Sequence, residues 1–444
     1  MKTPAFALAA LAALAACAHA PAPETRQLAV SADGRHLERD GKPFFWLGDT
    51  AWELFHRTTA DEAKLYLDDR AAKGFNVVQA VLLAELGGLR VPNSNGDLPL
   101  QGNDPAQPNE AYFAYVDEVV AMAAERGMVM ALLPTWGDKF NRKWGEGPEI
   151  FTPENARAYG RWLGARYRDD PVVWVLGGDR NPETEAHLAI VRAMAAGIDE
   201  ATGGRQLVTY HPQGFSASWN FFRDDPWLDF HLLQSGHDYK DLDNHRWTLE
   251  GRALLPARPV LDGEPRYEDH PAALYRLQDE WDGQWFDDFD VRQAAWWSVL
   301  SGAAGHTYGN HNIWQMWQPP REPTSRARTP WKQALDHPGA AQMGLMRRLV
   351  ERHGSGALEP AQALLAANED GAGHQRAALA RDGTMLVYTP LGRPVALRDK
   401  AARRAHWFDP RTGRETRATG EDGRFDPPGE PGRGKDWVLV IAPR

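Results

Sequence analysis

The 444-residue sequence contains one cysteine, no extended run of lysine or arginine, and no stretch that reaches the roughly 20 apolar residues a bilayer-spanning helix needs. A single cysteine excludes an internal disulfide framework. A net charge of −10 with no basic cluster leaves nothing to hold a phosphate backbone, so nucleic acid is not expected as a partner. No Gly-rich phosphate fingerprint follows an early apolar run, since Gly87-Gly88 and Gly177-Gly178 lack its spacing. Neither HxH nor HExxH occurs, so His211, His237, His306 and His311 do not read as a metal set, and neither metal nor organic cofactor is expected. Ser235 lacks the G-x-S-x-G setting of a serine hydrolase.

What the chain has in plenty is tryptophan, 18 copies, and enough apolar residues (43%) for a barrel-sized core plus one more domain. Flat aromatic faces suit the apolar side of a sugar ring, although any one tryptophan more often fills a core. Residues 1–20 read as an export signal: Lys2 is basic, Ala5 to Ala16 are apolar, and Leu14-Ala15-Ala16-Cys17 resembles a bacterial lipobox. Cys17 stands where a lipid thioether would be attached, which predicts an exported protein, periplasmic or tethered to the outer membrane of a Gram-negative cell. An ordinary cleaved signal ending near Ala18-His19-Ala20 is the alternative.

Residues 21–27 form a linker, and 28–355 carry the main domain. Ser31-Ala32-Asp33-Gly34 predicts a hairpin, and Asp40-Gly41 a second turn leading into Pro43 to Leu47. Amphipathic segments (Ala60 to Lys73, Ala111 to Arg126, Pro153 to Arg168, Glu185 to Thr202) then alternate with apolar runs: Val77 to Leu83, Met128 to Leu133, Val172 to Leu176, Leu207 to Tyr210, Phe230 to Leu233, Val260 to Leu261 and His306 to Tyr308. With the first strand these make eight. Eight alternating units predict an α/β fold, a (β/α)8 TIM barrel, with an open doubly wound sheet as runner-up. Residues 356–444 change character to short runs between Gly, Pro and Asp turns, which predicts a small all-β sandwich.

A barrel of this kind builds its site from the loops at the C-terminal ends of the strands. Two carboxylates stand out there. Asp179 follows Val172 to Gly178, whose closing glycines would let a ligand approach the backbone, and Glu264 follows Val260 to Gly263 three strands later. Exits four and seven face each other across the mouth, as glycoside cleavage requires of its acid and its nucleophile or base. The competing structural readings are a helix cap for Asp179 and an ion pair with Arg266 for Glu264. Asp262, two residues before Glu264, should share its side and support it. Asp49, Trp52, Trp136, Asn181, His211, Gln234, His237, Tyr267, His306 and Asn310 are the candidates for contacts with sugar hydroxyls and ring faces.

Phe45 to Trp52, Gly74 to Gln79, Leu176 to Asp179, Gln234 to His237, Asp262 to Pro265 with Tyr267-Glu268, and Tyr308-Gly309 with Ile313 to Gln315 together resemble the apiosidase-like glycoside hydrolases, family 140. Trp407 to Gly413 and Asp436 to Leu439 are similar to the small β domain, labelled collagen-binding, that accompanies this barrel. The resemblance implies Asp179 as acid/base and Glu264 as nucleophile in a retaining mechanism. It also implies plant polysaccharide as substrate, with apiose-bearing side chains of the pectin rhamnogalacturonan II as the characterised case. A monomer is expected. The alternative is a non-catalytic surface lipoprotein that binds a glycan or matrix protein.

Overall fold

The computed structural model describes residues 27–354, 358–401 and 403–443; residues 1–20, read from the sequence as an export signal, and Cys17 within them lie outside the described residues. Eight parallel strands form a TIM barrel: β1 (Trp46–Thr50), β2 (Val77–Val81), β3 (Val129–Leu133), β4 (Val172–Gly177), β5 (Val208–His211), β6 (His231–Gln234), β7 (Val260–Asp262) and β8 (Gly305–Tyr308). Strands β8, β1, β2, β3, β4 and β5 form one continuous ladder, and β6 pairs with β7. Single backbone bonds, Asp229 N–H to Val208 O (2.9 Å) and Ala304 N–H to Val260 O (2.9 Å), close the two seams.

Strand side chains alternate with a period of two, and the packing follows it. Val77, Val81, Val129, Ala131, Leu133, Val173 and Val175 fill the interior. Val78, Ala80, Met130, Leu132, Val172, Trp174 and Leu176 face the surrounding helices. Those helices begin where local chemistry satisfies their first N–H groups. Thr59 and Glu62 form a capping box for Ala60–Ala72, Thr152 caps Pro153–Arg166 with proline at its first position, and Thr184 caps Glu185–Thr202. The predicted Pro43 to Leu47 strand is divided. Lys42–Phe44 joins Leu28–Val30 and Leu37–Arg39 in an antiparallel meander, and the barrel strand starts at Trp46. Leu28, Leu37 and Phe44 seal the barrel interior from the N-terminal end.

The C-terminal domain has a six-stranded antiparallel sheet in the order Glu359–Pro360, Arg376–Leu379, Met385–Thr389, Trp437–Ile441, Ala405–Phe408, Glu415–Ala418. A three-stranded sheet (Val395–Ala396, Arg424–Phe425, Gly420–Glu421) covers one face of it. Val387, Trp407 and Leu439 pack with Val395 and Phe425 between the sheets. Leu386, Tyr388, Val438 and Val440, on the other face, join the core of the barrel's helical layer.

Two sequence expectations of side-chain direction fail, one on this alternation and one at the turn that follows β7. Asp49 points outward from β1, fully buried, where it pairs with Arg70 (Nε to Oδ2, 2.5 Å) and accepts from the Tyr66 hydroxyl (2.7 Å). It holds the helix Ala60–Ala72 to the barrel and does not face the mouth. Asp262 is the last residue of β7, and the chain turns at Gly263, so the period of two does not carry on to Glu264. The Asp262 carboxylate instead accepts from Ser235 Oγ (2.7 Å) and Asn244 Nδ2 (3.1 Å).

Candidate active site

The site is built from the turns that leave β4, β5, β6 and β7. At the end of β4 the backbone takes three consecutive positive φ values: Gly177 (90°), Gly178 (111°) and Asp179 (55°). Two glycines carry the conformations that L-residues resist, and aspartate is among the few others that tolerate the left-handed region. The glycines serve protein packing, where the sequence suggested ligand approach. A Cβ on Gly177 would lie 2.5 Å from His211 O, and one on Gly178 would lie 2.9 Å from the Trp136 ring. Gly178 accordingly donates to His211 O (3.1 Å) and accepts from Gly137 N–H (2.9 Å), so the exits of β3, β4 and β5 are stitched together.

Asp179 accepts from Gln234 Nε2 at Oδ1 (3.2 Å) and from Arg180 Nη1 at Oδ2 (3.2 Å). Its side chain keeps about a fifth of its surface open to the mouth. Burial, with the charge of Glu264 nearby, pushes Asp179 up to about 6. Glu264 lies deeper. His237 Nε2 is 2.9 Å from Oε1, and His211 Nε2 is 3.1 Å from Oε2 but off the hydrogen-bonding line. Burial alone would raise Glu264, but the two imidazoles outweigh it and hold the carboxyl down at about 2. His211 Nδ1 lies 3.0 Å from Pro212 O and 3.3 Å from Asp179 N, on the opposite edge of the ring from the Nε2 that faces Glu264. One imidazole therefore links the backbone of one acid to the side chain of the other.

Around this pair the Trp52 and Trp136 rings lie 5.3 Å apart, and Trp52 meets His211 edge-on at 5.5 Å. Tyr267 packs on His237 at 4.3 Å. Trp52, Trp136, His211, Gln234, His237 and Tyr267 thus converge with Asp179 and Glu264. Three other candidates do not. His306 is fully buried on the same side of β8 as Tyr308, which faces the helical layer, so it points away from the mouth. Asn310 caps the short helix His311–Trp314 and bonds His337, leaving no free edge for a ligand. Asn181 ties the β4 exit to the β5 exit through Gln213 N–H (3.0 Å). Asn310 and Asn181 are polar side chains with a nearby helix or backbone to serve, which sequence position alone cannot separate from a ligand contact, while neither His306 ring nitrogen has a hydrogen-bond partner among the described residues. Arg266, the partner first considered for Glu264, instead donates to Gln293 (2.9 Å).

The structure also brings in residues that sequence reading missed. Glu85, four residues beyond β2, acts electrostatically on Asp179's neighbourhood and is pushed up to about 8, by burial first and then by Asp179. An acid ending the apolar run Leu82-Leu83-Ala84 was the available signal. Trp144, Phe215, Tyr239 and Tyr275 are the exposed large aromatics among the described residues, and all four sit on loops at the C-terminal ends of barrel strands. Among those residues no group of His, Cys, Asp and Glu is arranged to hold a metal ion, and no helix is long and apolar enough to cross a membrane.

Residues 31–355 match the profile of the apiosidase-like catalytic domain. Residues 360–442 match that of a domain described as collagen-binding in a collagenase. Among solved structures, a glycoside hydrolase is 30% identical, with 95% of this chain and 97% of that one covered and a TM-score of 0.85. A family 5 glycoside hydrolase from Bacteroides vulgatus is 28% identical over 94% and 93%, also at 0.85. A family 5 mannosidase from Rhizomucor miehei, 14% identical over 75% and 100% with a TM-score of 0.51, shares the barrel fold. No curated protein sequence matches the chain. A purely binding lipoprotein is set aside on these grounds: the chain is a glycosidase and belongs to the apiosidase-like glycoside hydrolases.

Proposed function

We propose that the enzyme is a retaining glycosidase in which Asp179 is the acid/base and Glu264 the nucleophile. The observation that carries this is two carboxyls set on either side of one imidazole, Asp179 N 3.3 Å from His211 Nδ1 and Glu264 3.1 Å from His211 Nε2, with Glu264 also against His237 (2.9 Å); these surroundings hold Asp179 up at about 6 and Glu264 down at about 2. Between those values Asp179 carries a proton and Glu264 a charge, the state in which glycoside cleavage begins. Glu264 attacks the anomeric carbon, the glycosidic C–O bond breaks, and the Asp179 proton passes to the leaving oxygen. Asp179, now ionised, takes a proton from water as that water attacks the glycosyl ester. The sugar is released with its original anomeric configuration, and both carboxyls return to their starting states. His211 and His237 keep Glu264 charged, and Trp52, Trp136 and Tyr267 wall the sugar.

The substrate we propose is plant polysaccharide, with the apiose-bearing side chains of rhamnogalacturonan II as the specific case. Support comes from the family and from the aromatic rim, which suits a glycan longer than one residue. Wild type, Asp179→Ala and Glu264→Ala incubated with a panel of pectic and other plant glycans, read by chromatography of released sugars, test both parts. Apiosyl sugar from wild type alone supports both. A different sugar lost in both variants would keep the mechanism and discard the substrate, and full activity in either variant would discard the mechanism. We further propose export with a lipid on Cys17, since the lipobox-like tetrad precedes it. Labelled palmitate should enter the wild-type chain and not Cys17→Ser.

A further inference from the structure

Five carboxyls act on one another in and beside the barrel mouth: Glu53, Glu85, Asp138, Asp179 and Glu264. Four are committed. Glu53 holds His56 (2.7 Å) and the Leu86 N–H (3.0 Å). Asp138 holds Lys139 (2.7 Å) and the Gly147 N–H (2.8 Å). Asp179 has Gln234 and Arg180, and Glu264 has its two histidines. Glu85 alone has no side-chain hydrogen bond or ion pair with any described residue.

Its backbone, in contrast, is fixed on both sides. Lys139 Nζ donates to Ala84 O (3.1 Å), Glu53 accepts from Leu86 N–H, and Trp136 N–H donates to Leu83 O (3.1 Å). Gly88 folds so closely over this turn that a Cβ there would stand 2.5 Å from Ala84 O. The turn therefore presents one half-buried acid from a rigid frame, and Asp179 and Arg180 are the charged groups that act on it most strongly. A half-open acid with hydrogen-bonding capacity to spare, on a rigid turn that Trp136 joins to the β3 exit and Gly137 N–H joins onward to Gly178 O (2.9 Å) next to Asp179, is placed to meet a ligand atom.

We propose that Glu85 is a specificity-determining residue that hydrogen-bonds a hydroxyl of the sugar lying against Asp179. The assignment rests on the roles given to Asp179 and Glu264. At neutral pH burial and Asp179 keep Glu85 protonated, so its carboxyl can both donate to a hydroxyl oxygen and accept from its hydrogen. Tyr275, exposed, packs against His270 (5.8 Å), which in turn lies on His237 (4.5 Å) beside Glu264, and so borders the mouth as an aromatic wall.

A glycan array probed with full-length Glu264→Ala, with and without Glu85→Ala, tests the inference alongside steady-state kinetics of Glu85→Ala and Glu85→Gln. The expected result is binding weakened roughly tenfold by Glu85→Ala, the worth of one hydrogen bond to such a group. KM should rise with kcat close to wild type, the melting temperature should hold, and Glu85→Gln should recover part of the loss. Unchanged affinity and KM would overturn the proposal, as would a fall in melting temperature that accounts for the lost activity. If Asp179→Ala or Glu264→Ala keeps hydrolysing, the carboxylate roles fail and this inference with them. If both lose hydrolysis while Glu85→Ala binds as tightly as its parent, only Glu85 fails.

Discussion

Buried acids occur in two settings in this molecule, and they are treated differently. Between the strands and the helical layer, Asp49 is matched by Arg70 and Tyr66, and Glu268 by the Tyr308 hydroxyl (2.6 Å) and the Gly339 N–H (3.0 Å). At the barrel mouth, Asp179 and Glu85 are left with long or missing contacts; both are pushed up by burial, Asp179 also by Glu264 and Glu85 also by Asp179. The wall uses acids to join elements, and its acids are closed to ligands. The mouth keeps acids that stay partly open and have hydrogen-bonding capacity to spare, which is the condition for proton transfer.

Several substitutions would sharpen or break this contrast. The largest effect is expected at the mouth: Glu264→Ala should lower kcat by ~10³-fold or more, with the fold intact by circular dichroism and with azide restoring turnover as an added nucleophile. Next, at the wall, Asp49→Ala should cost about 3–5 kcal/mol of stability by stranding the buried Arg70, read by urea unfolding, while folded protein keeps wild-type KM. A wall variant that lost activity without losing stability would break the comparison.

Smaller effects should appear in pH profiles. The profile of kcat/KM should rise through the Glu264 ionisation at about 2 and fall through that of Asp179 at about 6. Gln234 stabilises the charged form of Asp179, so Gln234→Leu should move the alkaline limb upward. His237 stabilises charged Glu264, so His237→Leu should move the acidic limb upward as well. Limbs that stay in place would detach these residues from the two carboxyls. The smallest effect is expected at Asn310→Ala, which should cost about 1 kcal/mol as a lost helix cap and leave KM unchanged.

The barrel was legible in the sequence because its signals are local and repeated. Val172 to Leu176 reads as a buried strand and Glu185 to Thr202 as an amphipathic helix without any tertiary information, and the structure has both. Asp179 and Glu264 could be singled out because they directly follow such runs. Side-chain direction was less legible. Asp49, Asp262 and His306 sit within or at the end of strands, where a one-residue change in phase or a turn at glycine sends a side chain to the other face. Glu85 escaped notice because the exit of β2 offers only one polar residue in an apolar string, and its isolation is a property of what surrounds it in space.

The helix Asp288–Val299 adds a last point. Every residue from Phe289 to Val299 is buried, so no amphipathic stripe marks it in the sequence. One side rests on the barrel, and from the other Arg292 forms a two-pronged pair with Asp436 (2.9 and 2.8 Å) while Trp296 stacks on Tyr388 at 5.9 Å. The C-terminal module is therefore the missing wall of the catalytic domain and not an appendage that could be exchanged for another. Cutting the chain near residue 357 would lay bare a tryptophan-rich helix and an unmatched arginine. The shorter product would aggregate, and the intact protein should melt in a single transition.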